Sequence, residues 1–171
     1  MKKVLLIVML GLLGLLHAED VVYLDDISAK EAAEMVKKEG AIIIDVRDPV
    51  EFLYTGHVPG AVNVPVFFVR IDLPPLDTRL KIATLERKKE KAIHVKKSYR
   101  PMMDENKNFL EDVKKLTKGD LEKPLIVICH SGNRSVFAAN RLAKNGFENV
   151  YNLEGGLVFG WIPAGLPAGG Q

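Results

Sequence analysis

The stretch Ile126-Val127-Ile128-Cys129-His130-Ser131-Gly132-Asn133-Arg134-Ser135 decides how this chain is read. An apolar, β-branched run ends on a cysteine, a short polar loop with one glycine follows, and Val136 to Leu142 then carries a helical pattern. A reactive group therefore sits at a strand-to-helix turn. The first N–H groups of a helix have no intrahelical partner, and the aligned peptide dipoles put partial positive charge there. A thiolate held in such a loop accepts several backbone N–H bonds, which favours the charged, nucleophilic form. Gly132 lets the loop curl, and Arg134 adds a fixed positive charge. The bland alternative is a cysteine that only fills space as a small buried hydrophobe.

Upstream, Val21-Val22-Tyr23 reads as a short first strand. Ser28 is placed to cap a helix with Glu31 as its capping-box partner, Ala32, Met35 and Val36 supply an apolar stripe, and Gly40 ends the helix. Ala41 to Ile44 is a continuous apolar run of the kind buried on both faces of a parallel sheet, so a βαβ start is the natural reading. Asp45-Val46-Arg47 closes that strand, and Asp48-Pro49-Val50-Glu51 opens a second helix with Asp48 as its cap and Glu51 at the third position. Gly56 to Pro65 gives a turn and a short strand. Downstream, Val150 to Leu153 is a last strand running into Glu154-Gly155-Gly156. The order of elements is that of an α/β fold.

Three of these segments carry a resemblance. Cys129-His130-Ser131-Gly132-Asn133-Arg134-Ser135 resembles the active loop of the rhodanese sulfurtransferases, Asp45-Val46-Arg47 the strand end of that family, and Gly56-His57-Val58-Pro59-Gly60-Ala61-Val62-Asn63-Val64-Pro65 its glycine-histidine turn. The closing segment from Trp161 to Pro167 is also similar to the family's. The resemblance implies a rhodanese-like fold with a central, mainly parallel five-stranded sheet and helices on both faces. It further implies a nucleophile at Cys129, a substrate-binding loop of His130, Ser131, Gly132, Asn133, Arg134 and Ser135, and supporting residues at Asp45, Arg47, His57 and Glu154. The supporting residues brace loops rather than react, and His57 reads as a histidine that fixes its turn by hydrogen bonds. Two spacings depart from the pattern: one extra residue lies between Phe52 and Gly56, and one between Gly156 and Trp161. No packing role is carried over to Trp161, because one added residue rotates a helix by about 100°.

From residue 66 to 120 the resemblance fades, and part of this stretch reads as an insertion in a single domain spanning residues 19–171. Residues 104–118 suggest an amphipathic helix with Phe109, Leu110, Val113 and Leu116 inward. Arg79 to Arg100 holds nine Lys or Arg against Glu86 and Glu90. That run is either a solvated face or a positive lid that draws an anionic substrate or acidic protein to the site. Nucleic acid is not expected as a partner, since Tyr99 is the one aromatic in the run.

The first residues add an address. Met1-Lys2-Lys3 is basic, Val4 to Leu16 is an apolar run of 13 residues, and Leu16-His17-Ala18 ends on a small residue. This pattern matches a secretory signal over residues 1–18 with cleavage after Ala18, and hence a periplasmic or secreted protein. A retained anchor is the alternative, although a spanning helix needs about 20 apolar residues. Without Lys2 and Lys3, the 24 basic and 22 acidic residues become 22 and 22, so overall charge selects no partner class. Cys129 is the one cysteine, which in an oxidising compartment leaves reactivity or pairing between chains. The four histidines are scattered, so no metal site is expected, and no cofactor beyond a covalent persulfide on Cys129.

The expected chemistry is sulfur transfer. Cys129 takes a sulfane sulfur from a small sulfur-containing anion, thiosulfate or polysulfide, and passes it to a thiol, cyanide, sulfite or a protein acceptor. A phosphatase or arsenate reductase is the second reading, because related folds use a cysteine and an arginine against tetrahedral oxyanions. Their loops resemble Cys-x5-Arg, whereas four residues separate Cys129 and Arg134. A non-catalytic rhodanese-like binding module is the third. The donor, the acceptor and the oligomeric state stay open.

Overall fold

In the computed structural model, β6 (Leu125–Ile128) is the axis of the molecule: all four residues are fully buried, and the strand lies between two parallel neighbours. Residues 21–87 and 99–169 are described. The expected export signal and residues 88–98 of the basic run lie outside them. β1 (Asp25–Ile27), β2 (Ile42–Asp45), β3 (Val62–Asn63), β6 and β7 (Val150–Leu153) form one five-stranded sheet in the order β1-β7-β6-β2-β3. Every pairing in it is parallel. Side chains alternate across the sheet. Leu125, Val127 and Cys129 therefore enter the core shared with α4 (Phe109–Leu116) and α5 (Asn133–Ala143), while Ile126 and Ile128 enter the core shared with α1 (Ala29–Glu39). Helices thus cover both faces, as a buried parallel sheet requires.

Local chemistry sets the boundaries. The Ser28 hydroxyl accepts from the Glu31 N–H at 3.3 Å, the Glu31 carboxylate accepts from the Ser28 N–H at 2.8 Å, and α1 ends on Gly40 at φ 65°. Asp48 caps α2 (Pro49–Tyr54) through the Val50 N–H at 2.9 Å. Glu51 does not complete a capping box there, because Arg134 takes its carboxylate.

Three expectations shift. The first strand is Asp25–Ile27 rather than Val21–Tyr23. Val21 and Val22 are 62% and 47% exposed, pairing starts where the Leu24 N–H donates to the Val150 carbonyl at 2.8 Å, and the register sets Ile27 beside Leu153. On an edge strand the partner's register outweighs the local apolar count. The amphipathic helix is shorter than 104–118, because Asp104 and Glu105 belong to β5 (Pro101–Glu105), which pairs antiparallel with β4 (Phe67–Ile71) in a separate two-stranded ribbon. Asn106 makes the corner: its side chain donates to the Pro65 carbonyl at 2.8 Å and accepts the Asn108 N–H at 3.0 Å. Between β4 and β5 the chain also forms α3 (Leu76–Arg87).

The closing segment is the third case. Gly156–Trp161 winds as a π-helical turn, with the Ile162 N–H reaching back five residues to the Leu157 carbonyl at 2.9 Å. A π turn holds about one residue more than an α turn. Trp161 is 4% exposed, packs in the α1-side core, and donates its ring N–H to the Pro167 carbonyl at 2.9 Å.

Candidate active site

The sheet brings the C-terminal ends of β6 and β2 side by side, with α5 leaving the first and α2 following the second. Such a crevice, where crossovers diverge from adjacent parallel strands, is where open α/β sheets collect ligands. Cys129 follows β6 directly and is 1% exposed. Gly132, at φ 105°, turns the loop so that its own N–H points back at the sulfur, 3.1 Å from Sγ. A side chain at that φ would be strained, so glycine is required there. The buried Ser135 hydroxyl lies 3.4 Å from Sγ and 2.8 Å from the Gly132 carbonyl. Its one proton serves the carbonyl at the shorter distance and can swing to a sulfur that carries charge.

The sequence reading expected a fuller ring of N–H donors from residues 130–135. Among the described residues the sulfur instead has the Gly132 N–H as donor and the Ser135 hydroxyl within reach, with the N-terminus of the 11-residue helix α5 behind them. His130, Ser131 and Asn133 are exposed on the rim of the loop.

The fixed positive charge of Arg134 is paired with a carboxylate: Nη1 donates to Glu51 Oε2 at 2.5 Å and Nη2 to Glu51 Oε1 at 2.8 Å. These hydrogen bonds hold the Glu51 carboxyl below its ordinary range and push the Arg134 guanidinium up; burial opposes both shifts. Attraction to Cys129 adds to the arginine shift, so the pair lies within electrostatic reach of the thiol. Glu51 is the site residue that the sequence concealed, because its local spacing already explained it as a helix cap.

Asp45 and Arg47 meet as an ion pair with both side chains fully buried. Arg47 Nε and Nη2 fork onto the Asp45 carboxylate, Nη1 reaches Thr55 Oγ1 at 2.8 Å, and Nη2 also reaches the Gly56 carbonyl at 2.7 Å. Thr55 Oγ1 in turn donates to the Glu51 carbonyl at 2.8 Å. A rigid connection therefore runs from the end of β2 through α2 to Glu51 and Arg134. His57 fixes the next turn: Nδ1 donates to the Phe52 carbonyl at 3.1 Å, the ring stacks on Phe52 at 3.9 Å, and its backbone bridges to Gly169.

Glu154 lies just past the end of β7, exposed beside a groove lined by Ser28 and Lys30, and Gly156, two residues on, packs against the Cys129–His130 backbone. The Leu157 N–H donates to the Cys129 carbonyl at 2.8 Å and the Val158 N–H to the His130 carbonyl at 3.1 Å. The π-helical segment thus holds the peptides that flank the sulfur. Among the described residues, no group of three or more His, Cys, Asp or Glu is arranged to hold a metal ion.

Comparison with known proteins agrees with this architecture. Rhodanese-like domain-containing protein 14, chloroplastic, of Arabidopsis thaliana is 31% identical over 157 residues, covering 82% of this chain and 63% of that protein. Thiosulfate sulfurtransferase GlpE of Pseudomonas syringae pv. syringae is 26% identical over 127 residues, covering 74% and 78% of the two chains. Rv0390 of M. tuberculosis shares the fold with a TM-score of 0.57 at 22% identity, over 87% of this chain and 99% of that one. A thiosulfate sulfurtransferase of Pseudomonas aeruginosa does so with a TM-score of 0.55 at 22% identity, over 86% of this chain and 20% of that one. With the rhodanese-like domain model matching residues 28–161, from the cap of α1 through the cysteine loop to Trp161, the chain belongs to the rhodanese-like family.

Proposed function

We propose that this protein is a sulfurtransferase that carries a sulfane sulfur on Cys129. The observation that carries the reading is the seat of the sulfur: at the end of a central strand, 1% exposed, with the Gly132 N–H at 3.1 Å, the Ser135 hydroxyl at 3.4 Å and a helix N-terminus behind it. These groups favour a thiolate and then the charged terminal sulfur of a persulfide. In the first half-reaction the thiolate attacks the outer sulfur of thiosulfate or a polysulfide. The donor's S–S bond breaks, and its electron pair leaves on sulfite or on the shortened polysulfide. In the second, cyanide, a thiolate or sulfite attacks the terminal sulfur and returns the Cys129 thiolate. Two half-reactions on one sulfur give ping-pong kinetics.

The relatives support this reading by family, since several are named thiosulfate sulfurtransferases. The phosphatase reading loses ground on geometry: both terminal nitrogens of Arg134 are engaged by Glu51, so the fork is not free to grip a tetrahedral oxyanion. The basic, apolar start of the sequence adds export to the periplasm or beyond as part of the proposal. A thiosulfate–cyanide assay of the protein and its Cys129→Ser variant tests the function: thiocyanate formation that depends on Cys129 is expected, and equal formation by both would refute it.

A further inference from the structure

Glu51 brings a fixed negative charge to the Cys129 loop. It meets Arg134 fork to fork at 2.5 and 2.8 Å, the two side chains keep 29% and 17% of their exposure, and the Arg47–Thr55 connection holds α2 where this pairing forms. The cation that follows the loop therefore arrives with its counter-ion already seated. For a donor anion the two charges largely cancel, and what remains is the pull of the loop N–H, the serine hydroxyl and the helix end.

That matters because donors differ in charge. Thiosulfate brings two negative charges to a thiolate, so three gather at the loop: Cys–S⁻ and S–SO3²⁻ become Cys–S–S⁻ and SO3²⁻. An organic persulfide brings one, so only two gather: Cys–S⁻ and R–S–S⁻ become Cys–S–S⁻ and R–S⁻. Resting on the sulfurtransferase reading, we infer that Glu51 is a specificity-determining residue that turns the Cys129 loop toward singly charged sulfane donors such as organic persulfides and against dianionic thiosulfate. The carboxyl of Glu51 is held below its ordinary range, first by its hydrogen bonds to Arg134, so the charge is in place at neutral pH.

The test is Glu51→Gln, which keeps the length and one acceptor oxygen for Arg134 while removing the charge. kcat/KM is measured for thiosulfate and for methanethiosulfonate, a singly charged sulfane donor, with cyanide as common acceptor and at low and high salt. Coulomb's law doubles the logarithm of the effect for a dianion, so a gain of about tenfold for thiosulfate accompanies about threefold for the thiosulfonate, both through KM. Salt should shrink the difference. A bracing role alone would lower kcat equally on both donors, and an unchanged donor ratio would overturn the inference. Should Glu51→Gln lose its fold, Glu51→Met removes the same charge at similar reach and must shift the ratio the same way. Loading of wild-type Cys129 by either donor, seen as a mass gain of about 32 Da, tests the underlying reading separately. No loading by any donor removes the sulfurtransferase reading, whereas loading with an unchanged ratio in the variants removes the role of Glu51 alone.

Discussion

Replacing Gly156 with alanine should push the Cys129–His130 peptide out of place. A Cβ built on Gly156 lies 2.6 Å from the Cys129 carbonyl oxygen and 2.9 Å from the carbonyl carbon and oxygen of His130. Ordinary C···O contacts begin near ~3.3 Å, so the two backbones must part by about 0.7 Å. Gly156 also sits at φ 58°, where an alanine costs about 1 kcal/mol or more. Separation weakens the Leu157 and Val158 N–H bonds to the loop carbonyls, now 2.8 and 3.1 Å. Each is worth about 1 kcal/mol. The variant should therefore be less stable by about 3 kcal/mol, or ~6–12 °C in melting temperature for a chain of this size. A shift of this order in the nucleophile's frame should also slow sulfur loading about ten- to hundredfold. Thermal melts and single-turnover loading of Cys129 by thiosulfate are the assays. Melting within about 2 °C of wild type together with loading within about twofold would show that the π-helical segment does not hold the loop.

Arg47→Met leaves the fully buried Asp45 without its partner and should cost about 3–5 kcal/mol in urea unfolding, with Asp45→Asn in the same chain restoring part of the loss; equal stability of single and double variants would refute the coupling. Tyr23, buried and donating to Asp26 at 2.8 Å, has its pKa pushed up to about 12, first by burial and then by that bond. The unfolded chain releases this proton first, so stability should fall by about 2–3 kcal/mol as pH rises from about 10 to 12, a decline absent from Tyr23→Phe. At the acid end, the lowered Glu51 carboxyl makes its share of stability present above about pH 4.5 and lost as pH falls through the folded value. The gap in unfolding free energy between wild type and Glu51→Gln should therefore close below that pH; a gap independent of pH would contradict the ion pair.

What the sequence made legible were features that one local rule determines. The Ser28–Glu31 capping box spans three residues, Gly40 ends its helix by its own backbone freedom, and Leu125 to Ile128 is apolar throughout because both sheet faces are covered. Cys129 was legible for the same reason, since a strand, a cysteine and a glycine loop leave few other geometries. The Glu51–Arg134 pair was hidden because its members stand 83 residues apart and each had a sufficient local explanation. The offset of β1 was hidden because an edge strand takes its register from β7, and the β4–β5 ribbon because Phe67 pairs with Glu105 across a long excursion that no short pattern announces. The close approach of Gly156 to the Cys129–His130 backbone was hidden because it joins segments far apart in the chain, and the missing side chain of Gly156 is what permits it.

The central claim is that Cys129 carries the transferred sulfur, and intact mass spectrometry tests it most directly. Incubation with thiosulfate or an organic persulfide donor should add one sulfur, about 32 Da, to the wild-type protein and none to Cys129→Ser. Cyanide or dithiothreitol should remove that sulfur, with cyanide leaving as thiocyanate. Equal uptake by the serine variant, or no uptake by wild type from any sulfane donor, would contradict the account.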